Sequence, residues 1–238
     1  MLRLQPPTFE GRLELVEHRI HNALERSGRE RSEITLVAVS KKFSAARLRE
    51  AYAAGLRDFG ENYVQEFSDK KQDLGDLPGA RFHLIGHLQS NKARLACNLF
   101  DVIQTADSPK LIEKLDASAP EGKHIDVLLE IKLSVEASKT GAAPGQIPAL
   151  LAAAKGCSRL TVSGLMIIPP WSEDPEASRP YFRKLASLAH EHHLPSISMG
   201  MSGDLEVAIE EGATLIRIGT ALFGPRPKPA SSDPPPSP

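Results

Sequence analysis

"SMGMSGDLEVAIEEGATLIRIGTALFG", residues 198–224, places two short apolar runs on either side of a helical stretch. The first run ends in a tight turn, with Ser202 in the N-cap role that serine favours. The second ends at Gly219 and Thr220. Strand, helix and strand in that order make a crossover unit, the connection that parallel strands require.

The same alternation runs back through the chain. Strands are expected at residues 34–40, 57–61, 81–86, 102–105, 125–132, 161–168, 196–200 and 215–219. Several are apolar almost throughout, as strands covered on both faces are. The segments between them, "AARLREAYAAGL" and "YFRKLASLAHEHH" among them, repeat apolar residues at helical spacing. Ser44, Ser90 or Asn91, Ser108 and Ser202 mark helix starts. Eight strands in about 220 residues favour a closed (β/α)8 TIM barrel over an open doubly wound sheet. Leu13, Val16, Ile20 and Leu24 add an amphipathic helix over residues 9–27, ahead of the first strand. Residues 1–8 read as a short extension and 9–224 as one domain. Residues 225–238, with seven of the 19 prolines, read as a disordered tail.

Composition narrows the function. The formal charge of -1 provides no basic field for nucleic acid or anionic lipid. No apolar run reaches the roughly 20 residues of a membrane span, and the N-terminus has no apolar signal core, so a cytoplasmic protein is expected. Cys97 and Cys157 lack metal-like spacing and read as reduced structural thiols. His190, His192 and His193 end a charged helix, and His83 and His87 straddle a strand end, so no metal site is expected.

In a barrel the chemistry sits at the carboxyl ends of the strands. "LVAVSKKF" (36–43) delivers Lys41 and Lys42 to that end of the first strand. Burial or a neighbouring cation such as Arg217 would lower an amine toward nucleophilic use. Strand alternation allows only one of the two lysines to point inward. The turns at Ser202–Gly203 and Gly219–Thr220 offer backbone N–H groups and hydroxyls suited to a dianion. Glu61 and Glu66 read as rim salt-bridge partners, and Trp171 as a loop residue that either covers the pocket or marks a partner surface.

"LVAVSKKF", "FGENYVQE", "FHLIGHLQSNK", "SGLMIIPP" and residues 198–224 occur in the order seen in the pyridoxal-phosphate homeostasis proteins, and the chain resembles that family over residues 34–224. The resemblance implies a barrel like the alanine racemase N-terminal domain that holds pyridoxal 5'-phosphate (PLP) as an aldimine. Lys41 matches the family's aldimine lysine, because it directly follows "AVS". Ser202 matches the phosphate-contacting serine, Gly219 and Thr220 the groups that close on the phosphate, and Arg217 the arginine facing the pyridine nitrogen. Asn62, His83 and Met166 match strand ends that look toward the ring. The implied role is a monomeric cofactor carrier that releases PLP to apoenzymes, rather than an enzyme. A low-activity amino-acid racemase is the alternative. Racemases take a second, tyrosine base from a C-terminal domain that this sequence is expected to lack, and Tyr52, Tyr63 and Tyr181 are all expected in helices. A Schiff-base aldolase and a partner-binding module are more distant rivals.

Overall fold

A computed structural model of the chain describes residues 8–134 and 140–225. Eight parallel strands close in sequence order: β1 (Thr35–Val39), β2 (Asp58–Glu61), β3 (Arg81–Leu84), β4 (Val102–Ala106), β5 (Ile125–Glu130), β6 (Leu160–Met166), β7 (Ser196–Ser198) and β8 (Leu215–Ile218). The last strand returns to the first, pairing Leu215 with Thr35 and Ile218 with Ala38, which removes the open-sheet alternative. Around the strands lie α1 (Phe9–Ser27), α2 (Ala45–Ala53), α3 (Val64–Leu74), α4 (Ala93–Leu99), α5 (Pro109–Ser118), α6 (Ile147–Ala154), α7 (Arg179–Glu191), α8 (Leu205–Glu210) and α9 (Thr220–Phe223).

Period-two alternation sorts each strand into two environments. Leu36, Ala38, Phe59, Phe82, Leu84, Ile216 and Ile218 join the main core between strands and helices. Val102, Leu128 and Met166 form a separate, smaller cluster within the barrel. Phe67 of α3 lies against Phe82 and Phe100, with ring centroids 4.8 and 4.9 Å apart. Fully burying such a ring stabilises the fold by about 1.5–3 kcal/mol.

The N-terminal helix begins and ends as its sequence dictates. The Thr8 hydroxyl accepts from the Gly11 N–H, and Gly28 closes the helix in the left-handed conformation at φ 66°. Its apolar stripe of Val16, Ile20 and Leu24 is buried against α8 and α9. Arg19 grips Glu206 with two hydrogen bonds of 2.6 and 2.7 Å, and Arg29 donates to the carbonyls of Ile209 and Ala213.

Several boundaries differ from the sequence reading. Ser108 caps α5 through the Leu111 N–H, whereas the Ser44 side chain makes no capping bond. Ser90 and Asn91 open a single 3₁₀ turn, Ser90–Lys92, that leads into α4. Asp204, not Ser202, occupies the N-cap of α8, because the chain spends one more turn before the helix. Tyr63 precedes α3 and is exposed, while Tyr52 and Tyr181 lie in helices. Both cysteines are free, and burial pushes the Cys97 thiol up to about 11. Among the described residues no helix is long and apolar enough to cross a membrane. The expected proline-rich tail, beyond Pro225, and nearly all of the short N-terminal extension lie outside the described residues.

Candidate functional site

The carboxyl ends of the strands surround a cavity of about 390 Å³, within the range of small-molecule sites. Lys41, Asn62, Ser202, Arg217, Gly219 and Thr220 all line it. Its outer wall is Ile168, Pro169, Pro170 and Trp171, the last 84% exposed. His83 and Met166 do not line it. Met166 packs with Val102 and Leu128 in the small internal cluster, and His83 is hydrogen-bonded inside the barrel.

The two lysines part company through a turn, not through strand alternation, because β1 stops at Val39. Lys41 is half-buried and lines the cavity. Lys42 is exposed, adopts φ 65°, and donates its backbone N–H to Glu66 Oε1 at 2.6 Å. Glu61 is not at the rim either. It is wholly buried, with Oε1 2.7 Å from Ser40 Oγ and 2.6 Å from Lys70 Nζ, and Oε2 lacks a partner. Burial pushes its carboxyl above the usual range, against the pull of Lys70 and Ser40. Lys70 was missed from sequence. The available signal was its place between Phe67 and Leu74 on the buried face of α3, where a lysine needs a partner.

On the neighbouring strand, Arg217 comes from the lumen-facing side of β8, in register with Val37. It donates to Ser198 Oγ at 2.6 Å and to the Ile167 carbonyl at 2.8 Å. Burial draws its guanidinium down to about 10, with Asp204 and Glu130 acting in the other direction. It therefore stays charged at neutral pH. Behind it the hydrogen bonds continue: Ser198 Oγ donates to Gln104 Oε1 at 2.7 Å, Gln104 Nε2 meets His83 Nδ1 at 3.0 Å, and His83 Nε2 meets Asp58 Oδ1 at 2.9 Å. An amide N–H only donates and a carboxylate only accepts, so His83 accepts at Nδ1 and donates from Nε2. A single line of donors thus runs from the cavity floor down through the barrel.

The third side is the pair of turns after β7 and β8. The Ser202 hydroxyl accepts from the Ala221 N–H at 3.3 Å and ties the two turns together. Met201 N–H is committed to Asp204 Oδ1 at 2.7 Å. At the cavity edge the buried Asn62 Oδ1 has no hydrogen-bond partner, an omission that calls for a ligand or water. The backbone of Asn62 packs closely against Gly86: a Cβ there would fall 2.2 Å from the Asn62 carbonyl oxygen. An amine, a fixed cation, two hydroxyl-bearing turns and an unsatisfied polar atom suit a small anionic carbonyl compound.

The alanine racemase N-terminal domain family model matches residues 12–227. The pyridoxal phosphate homeostasis protein of Pseudomonas aeruginosa is 45% identical over 214 residues, covering 89% of this chain and 93% of the relative. That of Escherichia coli K12 is 43% identical over 220 residues, covering 89% and 94%. The PLP-bound structure of PipY from Synechococcus elongatus superposes with a TM-score of 0.79 at 38% identity, covering 91% of this chain and all 100% of that one. Alanine racemase from Clostridium difficile, at 13% identity and a TM-score of 0.69 over 91% of this chain and 57% of its own, shares the barrel alone. The chain belongs to the pyridoxal phosphate homeostasis protein family, built on the alanine racemase N-terminal domain.

Proposed function

We propose that this chain binds pyridoxal 5'-phosphate through Lys41 and serves cytoplasmic PLP homeostasis, holding the cofactor as a monomer and releasing it to apoenzymes. The observation that carries this is the convergence of Lys41, Arg217, Ser202 and Thr220 on one cavity of about 390 Å³. When bound, the cofactor supplies an aldehyde that condenses reversibly with primary amines.

Each residue has a defined task. Lys41 presents its amine from the end of β1, with Arg217 as the fixed cation on the same cavity. Ser202 and Thr220 hold the phosphate with their hydroxyls, beside Gly203 and Gly219. Arg217 would hold the ring nitrogen. A guanidinium can only donate there, so a nitrogen held by it would stay unprotonated and the ring would draw electrons weakly. That suits retention and hand-over better than carbanion chemistry. Among the described residues no tyrosine lines the cavity, so a racemase's second base has no counterpart there.

The test is borohydride reduction of the PLP-loaded protein followed by peptide mapping. The pyridoxyl mark falls on Lys41, Lys41→Ala abolishes it, and Lys42→Ala retains it. A mark on Lys42, or sustained formation of D-alanine from L-alanine, overturns the reading.

A further inference from the structure

A buried ion cluster outside the barrel wall grips the chain on both sides of Lys41. We propose that Glu61, Lys70 and Glu66 are positioning residues that aim its amine into the cavity, an inference that rests on Lys41 being the residue that takes the cofactor.

On the N-terminal side, every polar atom of Ser40 is committed. Its N–H donates to the Gly60 carbonyl at 3.0 Å, and its carbonyl accepts from the Phe43 N–H at 3.1 Å and from Lys70 Nζ at 2.9 Å. Its hydroxyl donates to Glu61 Oε1 at 2.7 Å. On the C-terminal side, Glu66 Oε1 accepts the Lys42 N–H at 2.6 Å. Lys70 Nζ joins the two halves, lying 2.6 Å from Glu61 Oε1 and 3.4 Å from Glu66 Oε1. One ammonium group thus braces both peptides that flank Lys41.

The turn needs such a brace. Lys42 sits at φ 65°, a left-handed conformation that is disfavoured for a residue carrying a Cβ. Released, Lys42 would relax toward negative φ and swing Lys41 with it. Stability alone is a poor account of the cluster. A buried ion pair contributes little beyond an apolar pair of equal volume, and Glu61 Oε2 is left without a partner. Geometry is what the arrangement supplies, and an error of about 1 Å at a reacting atom slows reaction on the order of 100-fold.

The test measures the rate of covalent capture of PLP by borohydride quench, beside two readings that do not depend on capture. Glu66→Ala is the main variant, because Glu66 is partly exposed and its truncation leaves Lys70 paired with Glu61. Lys70→Met is the second. Capture is expected to slow roughly ten- to 100-fold. Affinity for pyridoxine 5'-phosphate, which carries the phosphate without the aldehyde, stays unchanged. Amide hydrogen exchange at Lys42 in the cofactor-free protein accelerates in Glu66→Ala and returns to the parental rate in Glu66→Gln, which keeps the acceptor oxygen. Capture at the parental rate in both variants, or an equal loss of pyridoxine 5'-phosphate binding, overturns the inference. Lys41→Ala run in parallel separates the two readings: if it still captures PLP, the proposed function has failed. If it does not, while Glu66→Ala and Lys70→Met capture normally, only the positioning role has.

Discussion

The two lips of the cavity bury charge in opposite ways. Beneath Lys41, carboxylates and an ammonium meet on the helix side of the wall, with Glu61 and Lys70 2.6 Å apart. Beneath Arg217, the guanidinium donates to a hydroxyl and a carbonyl, and the line behind the hydroxyl runs through an amide and an imidazole to the Asp58 carboxylate. Burial pushes Glu61 up and Arg217 down, so both groups are drawn toward their neutral forms. The first side fixes backbone through closely packed charges. The second fixes a side chain and spreads its load along a row of dipoles that ends on the Asp58 carboxylate.

Removing Lys70 is expected to have the largest effect. Lys70→Met leaves Glu61 buried without its cation and should cost about 3–5 kcal/mol in urea unfolding. Adding Glu61→Leu should recover much of that loss, and a double variant as weak as the single one would break the contrast. Ser198→Ala, on the Arg217 side, should cost less, about 1–3 kcal/mol, by stripping one partner each from Arg217 and Gln104. A loss equal to that of Lys70→Met would mean that the two sides are built alike.

pH sharpens the comparison further. The Glu61 carboxyl is raised in the folded state, so the native form binds more protons than the unfolded chain. Its contribution is full below the ordinary carboxylate range and is lost as pH rises through the folded value. Glu211 behaves oppositely. Hydrogen bonds from Arg183 hold it low against burial, with help from Arg179, so its contribution fades as pH falls through the lowered value. The difference in melting temperature between parent and Glu61→Gln should therefore change with pH in the direction set by Glu61 alone. A constant difference would remove Glu61 as a titrating group. The smallest effect belongs to a partly exposed ion pair: Arg26→Ala, which breaks the Glu210 contact at 2.8 Å, should change stability by about 0.2–1 kcal/mol.

The strands were legible because each is a short apolar run between helical patterns, and closure followed from their number. The turn that puts Lys41 on the cavity and Lys42 in solvent was not legible, since the Lys42 N–H bonds Glu66, 24 positions away. His83 was expected to look toward the ring. Its position on β3, one residue before the strand ends at Leu84, turns it into the lumen and onto Gln104. Gln104 itself bonds Ser198 across 94 residues of sequence. Such pairings come into being only when the sheet closes, and no local spacing announces them.

The opening helix has a consequence of the same kind. Besides its clasp on Glu206, Arg19 donates to the Ser202 carbonyl at 3.0 Å. It is a strap across the very loop that would close on phosphate. A chain without the Arg19 guanidinium would keep all eight staves of the barrel, yet the loop at Ser202 would come unbuckled. Such a change should be read as a loosening of that loop before it is read as a defect in folding.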